Sequence, residues 1–240
     1  MNSRLSLKMK GPWRMRGAER VARLSAEIRR GILRARIRDR DFGVISNNCW
    51  GAHIYQRLGV EYATPFVGLF LDPGCYLTLL SRLRWYLTRP LRFRDTSRYE
   101  YLNERRAVNQ TTYPIGCLED EVEIHFMHYG SVQEAASKWA RRVARLTPRD
   151  DRLFVKFDDN NDCTATQLDA FERLPFQHKV CFVASPMPRL RSAVWIRESR
   201  DGHLPFGSLL WRASPKHFDA AGWINGSDGR SRWWRLFRCA

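Results

Sequence analysis

Phe42-Gly43-Val44-Ile45-Ser46-Asn47-Asn48-Cys49-Trp50-Gly51-Ala52-His53 runs from an apolar stretch through a polar turn into a helical pattern. Phe42 to Ser46 reads as a short strand. Trp50 to Leu58 reads as a short helix, with Gly59 at its C-terminal cap. A strand that hands over to a helix through a polar turn is the repeating unit of α/β domains. Such turns are also where these domains place reactive groups, and Cys49 stands in this one.

The same alternation continues along the chain. Phe66 to Leu71 is an apolar run of buried-strand type. Asp72-Pro73 then opens a helix, Asp as cap and Pro at the first helical position, expected to reach Tyr86. Arg89 to Val108 reads as irregular, with a short strand near Leu91–Phe93. Tyr113 to Gly116 is extended, and Val122 to Met127 is a strand. Ser131-Val132-Gln133-Glu134 is a capping box that starts a helix through Leu146. Leu153 to Phe157 and Val180 to Ala184 read as strands, with a helix from Thr164 to Phe171 between them. Val194–Ile196 and Leu209–Trp211 are further candidate strands. Short strands alternating with helices predict a layered α/β/α domain with a central parallel or mixed sheet.

The 240 residues suit one domain with appendages, and 44% hydrophobic residues suffice for a substantial core. No stretch approaches the roughly 18 apolar residues of a membrane span, and the first residues lack a signal peptide's apolar centre. A cytoplasmic location is the expectation. The cysteines show no C-x-x-C pair and no zinc or iron–sulfur spacing, as expected of reduced thiols.

The formal charge of +16 is uneven: residues 1–40 hold 13 Lys/Arg against 3 Asp/Glu. We therefore divide the chain into a basic, partly helical extension (1–40), a core (41–190) and a Trp-rich tail packed on the core (191–240). Within the extension, Glu19 to Arg38 reads as a helix with Val21, Leu24, Ile28, Ile32 and Ala35 in a stripe among arginines. The stripe can pack on the body. Alternatively, it can lie peripherally on an anionic membrane at the inner face, with the arginines snorkelling. No nucleic-acid module is evident, so no specific nucleic-acid partner is expected.

The stretch ISNNCWGAHIYQRLGVEYATPFVGLFLDPGCYLTLL resembles the opening signature of the family of unknown function numbered 1919 (DUF1919). YPIGCLEDEVEIHFMHY, AASKWARR, LFVKFDDNNDCT and LPFQHKVCF match it further, in the same order, over about residues 42–184. Members of that family are often labelled exopolysaccharide or capsular polysaccharide biosynthesis proteins. The resemblance implies an α/β fold and sugar or acyl-sugar metabolism, and it brings no assigned catalytic role.

Three polar clusters are candidate sites. Cys49 could serve as a nucleophile, its thiolate favoured by the helix start behind it, with His53 or His125 as base. Asp120 or Glu123 would orient His125, and Asn47 and Asn48 would donate to an oxyanion. Trp50, His53, His128 and Lys156 join Asn47 and Asn48 as candidate contacts to a sugar or sugar-phosphate substrate. The second cluster is Lys156-Phe157-Asp158-Asp159-Asn160-Asn161-Asp162. Asp158 and Asp159, after a strand, could hold a divalent metal ion against a diphosphate, as in metal-assisted glycosyl transfer. The run equally suits an Asx-rich turn that caps the next helix. The third, Glu119 to His125, reads as a solvated acidic face or as a metal or catalytic group. A non-catalytic carbohydrate-binding or scaffolding role stands beside the enzymatic ones. Oligomeric state is not legible.

Overall fold

The computed structural model describes residues 24, 27, 28, 31–205 and 207–230. Its elements are β1 (Gly43–Ser46), α1 (Trp50–Leu58), α2 (Pro73–Ser81), α3 (Leu83–Leu87), β2 (Arg92–Arg94) and α4 (Glu100–Val108). They continue with β3 (Ile115–Leu118), β4 (Val122–His125), α5 (Val132–Val143), β5 (Leu153–Asp158), α6 (Ala165–Arg173) and β6 (His178–Val183). The last are β7 (Ala193–Trp195), α7 (Ser208–Ala213) and α8 (Ala220–Ile224).

β1, β5, β6 and β7 form a parallel sheet in that order. β5 is buried at every position, so it reads as an apolar run with little alternation. One face of the sheet, with Ile45, Val155, Phe157, Cys181 and Val183, packs on α2 and α6 through Tyr76, Leu79, Leu168 and Phe171. The other, with Val44, Phe154, Val180, Phe182 and Val194, is covered by α1 and by Leu210, Phe218 and Trp223 of the C-terminal region. The result is the layered α/β/α architecture that the alternation predicts. Gly51 lets α1 lie close on β1. A Cβ there would stand 2.9 Å from Ser46 Cβ and 3.0 Å from Val44 Cγ1.

β2, β3 and β4 form a separate antiparallel sheet. The segment 64–72 joins the two sheets. Phe70 exchanges backbone hydrogen bonds with His125 on β4, and Leu71 N–H donates to Asn47 O beyond β1 (2.9 Å).

Several elements differ from expectation. Phe66 to Leu71 is buried but is not a strand. Pro65 removes a donor, and Gly68 turns the chain at φ +69°, so only Phe70 pairs. The Pro73–Tyr86 helix breaks at Arg82 (φ −142°). α4 forms within the segment read as irregular; only Leu102 of it is buried, so its apolar periodicity is weak. Leu209–Trp211 lies in a helix. Leu210 and Ala213 are buried and Leu209 is exposed, a three-residue spacing.

The N-terminal segment is helical at residues 24, 27, 28 and 31–36. Its expected stripe does not pack on the body: Leu24, Ile28 and Ile32 are exposed. Leu33 and Ile37 make the contact instead. The rest of that predicted helix, with Val21, and Trp233, Trp234 and Cys239 of the tail lie outside the described residues.

Candidate functional site

β1 ends at Ser46, β5 at Asp158 and β6 at Val183, so the residues that follow them meet at the C-terminal edge of the parallel sheet. Open α/β sheets bind ligands at this edge. Lys156 and Asp158, two apart on β5, project from the same face and are both fully buried.

The Lys156 ammonium has three protons, and each has an acceptor: Asn47 Oδ1 (3.1 Å), Asn48 Oδ1 (3.0 Å) and Asp158 Oδ2. The two amide nitrogens complete the network by donating to the carboxylate, Asn47 Nδ2 to Oδ1 (3.3 Å) and Asn48 Nδ2 to Oδ2 (2.6 Å). Asn48 Oδ1 also accepts Trp50 N–H (3.2 Å), satisfying a donor at the start of α1. Burial lowers the pKa of Lys156, and the attraction of Asp158 opposes that shift without cancelling it.

Asp159 turns away from this closed network. Its Oδ2 accepts Ala184 N–H (2.8 Å), while its Oδ1 is buried without a partner among the described residues. Burial raises its pKa to about 6; the Ala184 bond opposes the shift and the neighbouring Asp158 charge adds to it. Asp72 belongs to the same neighbourhood. It accepts Gly74 N–H (2.9 Å) and Tyr101 OH (2.8 Å). The Cys163 thiol is pushed up to about 12 by burial and by Asp158, Asp159 and Asp72. The sequence shows Asp72 only as a helix cap. It reaches this edge because Leu71 is hydrogen-bonded to Asn47.

Cys49 directly precedes α1, as expected, and is partly exposed. Its thiol contacts Leu69 O at 4.0 Å. Its pKa is raised, because burial outweighs the favourable charge of Lys156 and the Gly68 backbone bond. The helix start does not make it a thiolate. Among the described residues no hydrogen bond joins Cys49 to a histidine. His53 bonds Gln56 Oε1 (2.9 Å) and stacks on Trp211. The exposed His128 is tied to the same segment: its backbone N–H donates to Gly68 O (3.1 Å), and the Gly68 backbone also bonds the Cys49 thiol.

His125 belongs to the antiparallel sheet, fully buried between Phe70 and Tyr113. Its Nε2 lies 2.7 Å from Glu123 Oε1, but the approach is off-line, so neither ring nitrogen has a well-directed bond. Burial pushes the Glu123 carboxyl upward. His125, Ser97 Oγ and Arg98 N–H (3.0 Å) outweigh that and bring it to about 2. Asp120 lies at the β3–β4 hairpin tip and pairs with Arg94 (2.9 Å), not with His125. Trp50 is a core residue: it is 1% exposed, packs on Phe182 and Trp223, and donates its Nε1–H to Ser214 Oγ (3.0 Å).

Among the described residues no group of three or more His, Cys, Asp or Glu side chains is placed to hold a metal ion. Asp158 is already compensated by the Lys156 ammonium. An apolar cavity of about 270 Å³ lies between α1 and the C-terminal helices, lined by Leu33, Trp50, Trp211 and Phe218 among others. A second, of about 520 Å³, lies by Trp85 and Leu153, at the opposite end of the strands. Neither reaches Lys156 or Asp159. The edge therefore presents Asn48, Cys49 and Asp159 as a partly exposed rim over a sealed polar network.

The chain is 38% identical over 165 residues to an uncharacterized protein of Haemophilus influenzae, an alignment that covers 69% of this chain and 72% of the relative. The model of the domain of unknown function DUF1919 matches residues 21–223, from the N-terminal helix to α8 and through the whole C-terminal sheet edge. The chain belongs to the DUF1919 family.

Proposed function

We propose that this protein is an enzyme of surface-polysaccharide assembly that transfers a sugar or acyl group at the C-terminal edge of its parallel sheet. The observation that carries the reading is Asp159. It is a carboxyl raised to about 6, with one buried oxygen unpartnered, beside the locked Lys156–Asp158 pair. Such a group exchanges a proton near neutral pH, as a general acid or base must. In this reading Asp159 takes the proton of an acceptor hydroxyl as its oxygen bonds the transferred group, whose bond to the donor breaks and releases the donor's leaving group with the electron pair; Asn48 positions substrate, and Lys156 and Asp158 hold the rim rigid. Cys49 lines the site as a neutral thiol. The polysaccharide assignment rests on the label often given to members of the DUF1919 family.

The test is complementation. Deleting the gene in its host should lower cell-surface polysaccharide. Wild-type and Cys49→Ala chains should restore it, and a folded Asp159→Asn chain should not. Full restoration by Asp159→Asn sinks the proton-transfer role. Failure of Cys49→Ala alone returns the chemistry to the cysteine. No change in polysaccharide on deletion sinks the pathway assignment.

A further inference from the structure

We infer that the N-terminal helix is a membrane-surface anchor, and that its outward face lies on an anionic bilayer. Leu24, Ile28 and Ile32 are spaced by four and are 58%, 55% and 59% exposed. At roughly 100° per residue they share one stripe. Leu33, which with Ile37 just past the helix end seats the segment on the body, projects roughly 140° away from the middle of that stripe. The seat is fixed by charge as well. The Arg34 guanidinium donates to Leu58 O and to Gly59 O (2.6 Å) at the C-terminal end of α1, and Arg36 pairs with Asp219. The helix is thus held at its last turn with its apolar stripe facing outward.

Charge selects the occupant. Residues 1–40 carry a net +10 and the other 200 residues only +6, so the stripe belongs to the most basic part of the sequence. A neutral protein partner would have no use for that excess, whereas an anionic lipid surface takes both features together: the stripe enters the acyl boundary while arginines meet headgroups. No helix among the described residues is long and apolar enough to cross a membrane, so the contact is with the surface.

The test floats the full chain with phosphatidylcholine vesicles, with and without phosphatidylglycerol. The wild type should float only with the phosphatidylglycerol vesicles, and added salt should weaken it. The triple variant Leu24→Ser, Ile28→Ser, Ile32→Ser should lose at least about tenfold in vesicle affinity, with its melting curve unchanged because all three side chains are exposed. Equal flotation of variant and wild type overturns the inference. So does a wild type that ignores anionic vesicles, whether it instead dimerises through the stripe or binds RNA through its arginines.

Discussion

Replacing Lys156 by Met removes an ammonium that is fully buried and donates to three acceptors. Asp158 keeps two amide donors, from Asn47 and Asn48, but its charge has no counter-ion inside the sheet. Breaking a buried pair from one side costs about 3–5 kcal/mol, which for a chain of this size is a fall of roughly 10 °C in melting temperature. The opposite change, Asp158→Asn, should cost less. Lys156 can shed its proton, since burial already lowers its pKa despite Asp158. In that variant the unfolded chain binds the extra proton, so stability should rise with pH up to the ordinary lysine value of 10.5. The double variant Lys156→Met, Asp158→Leu removes both charges and strands only amide groups. It should cost less than Lys156→Met and Asp158→Leu made singly and summed, with a coupling of about 2 kcal/mol or more. Urea denaturation of the wild type and the variants measures each term. A Lys156→Met cost below about 1 kcal/mol, or simple additivity in the cycle, would refute the account of the network.

Gly51→Ala should destabilise by about 1–3 kcal/mol in the same assay, because the new Cβ meets Ser46 and Val44 on β1. Glu123→Gln should cost about 3 kcal/mol at pH 7. Its carboxyl is held at about 2, so that stabilisation is complete above the ordinary 4.5 and fades as pH falls toward 2; a loss independent of pH would refute it. Asp159→Asn should act in the opposite sense. A carboxyl raised from 3.8 to about 6 costs stability as pH rises through that interval, so urea denaturation should show the variant gaining up to about 3 kcal/mol at pH 7.5 and nothing at pH 3.

Much of the parallel sheet is legible in the sequence, because β5 and β6 are apolar runs and the caps at Asp72, Ser131 and Thr164 announce their helices. The antiparallel sheet is harder to read. β2 is Arg-Phe-Arg and little buried, and α4 buries only Leu102, so neither carries an apolar period. The polar clusters were visible as residue types but not as partners. Local spacing could show that Lys156 and Asp158 share a strand face. It could not show that Asn47 and Asn48, more than a hundred positions away, close the network, because the pairing of β1 with β5 that unites them is a long-range contact. Residue types also suggest a base for Cys49, either His53 one helical turn on or His125. The fold places His125 with Glu123, Phe70 and Tyr113, and it brings His128 to Gly68 beside the thiol.

The run Asn47-Asn48-Cys49 divides by burial into frame and rim. Asn47 is 0% exposed, and three of its groups are engaged: its backbone oxygen holds Leu71, its side-chain oxygen holds Lys156, and its amide nitrogen holds Asp158. It thereby joins the parallel sheet to the segment that reaches the antiparallel one. No conservative residue preserves all three bonds, since Asp loses the donor and Gln lengthens the arm. Asn48 shares the inner bonds but is partly exposed, as are Cys49 and Asp159. A substrate arriving at this edge meets those three while the buried pair behind them stays fixed. Substitutions at Asn47 should therefore appear first as lost stability, whereas those at Asp159 should appear as lost function with stability kept or raised. That separation is expected where unsatisfied, destabilised groups are retained for chemistry.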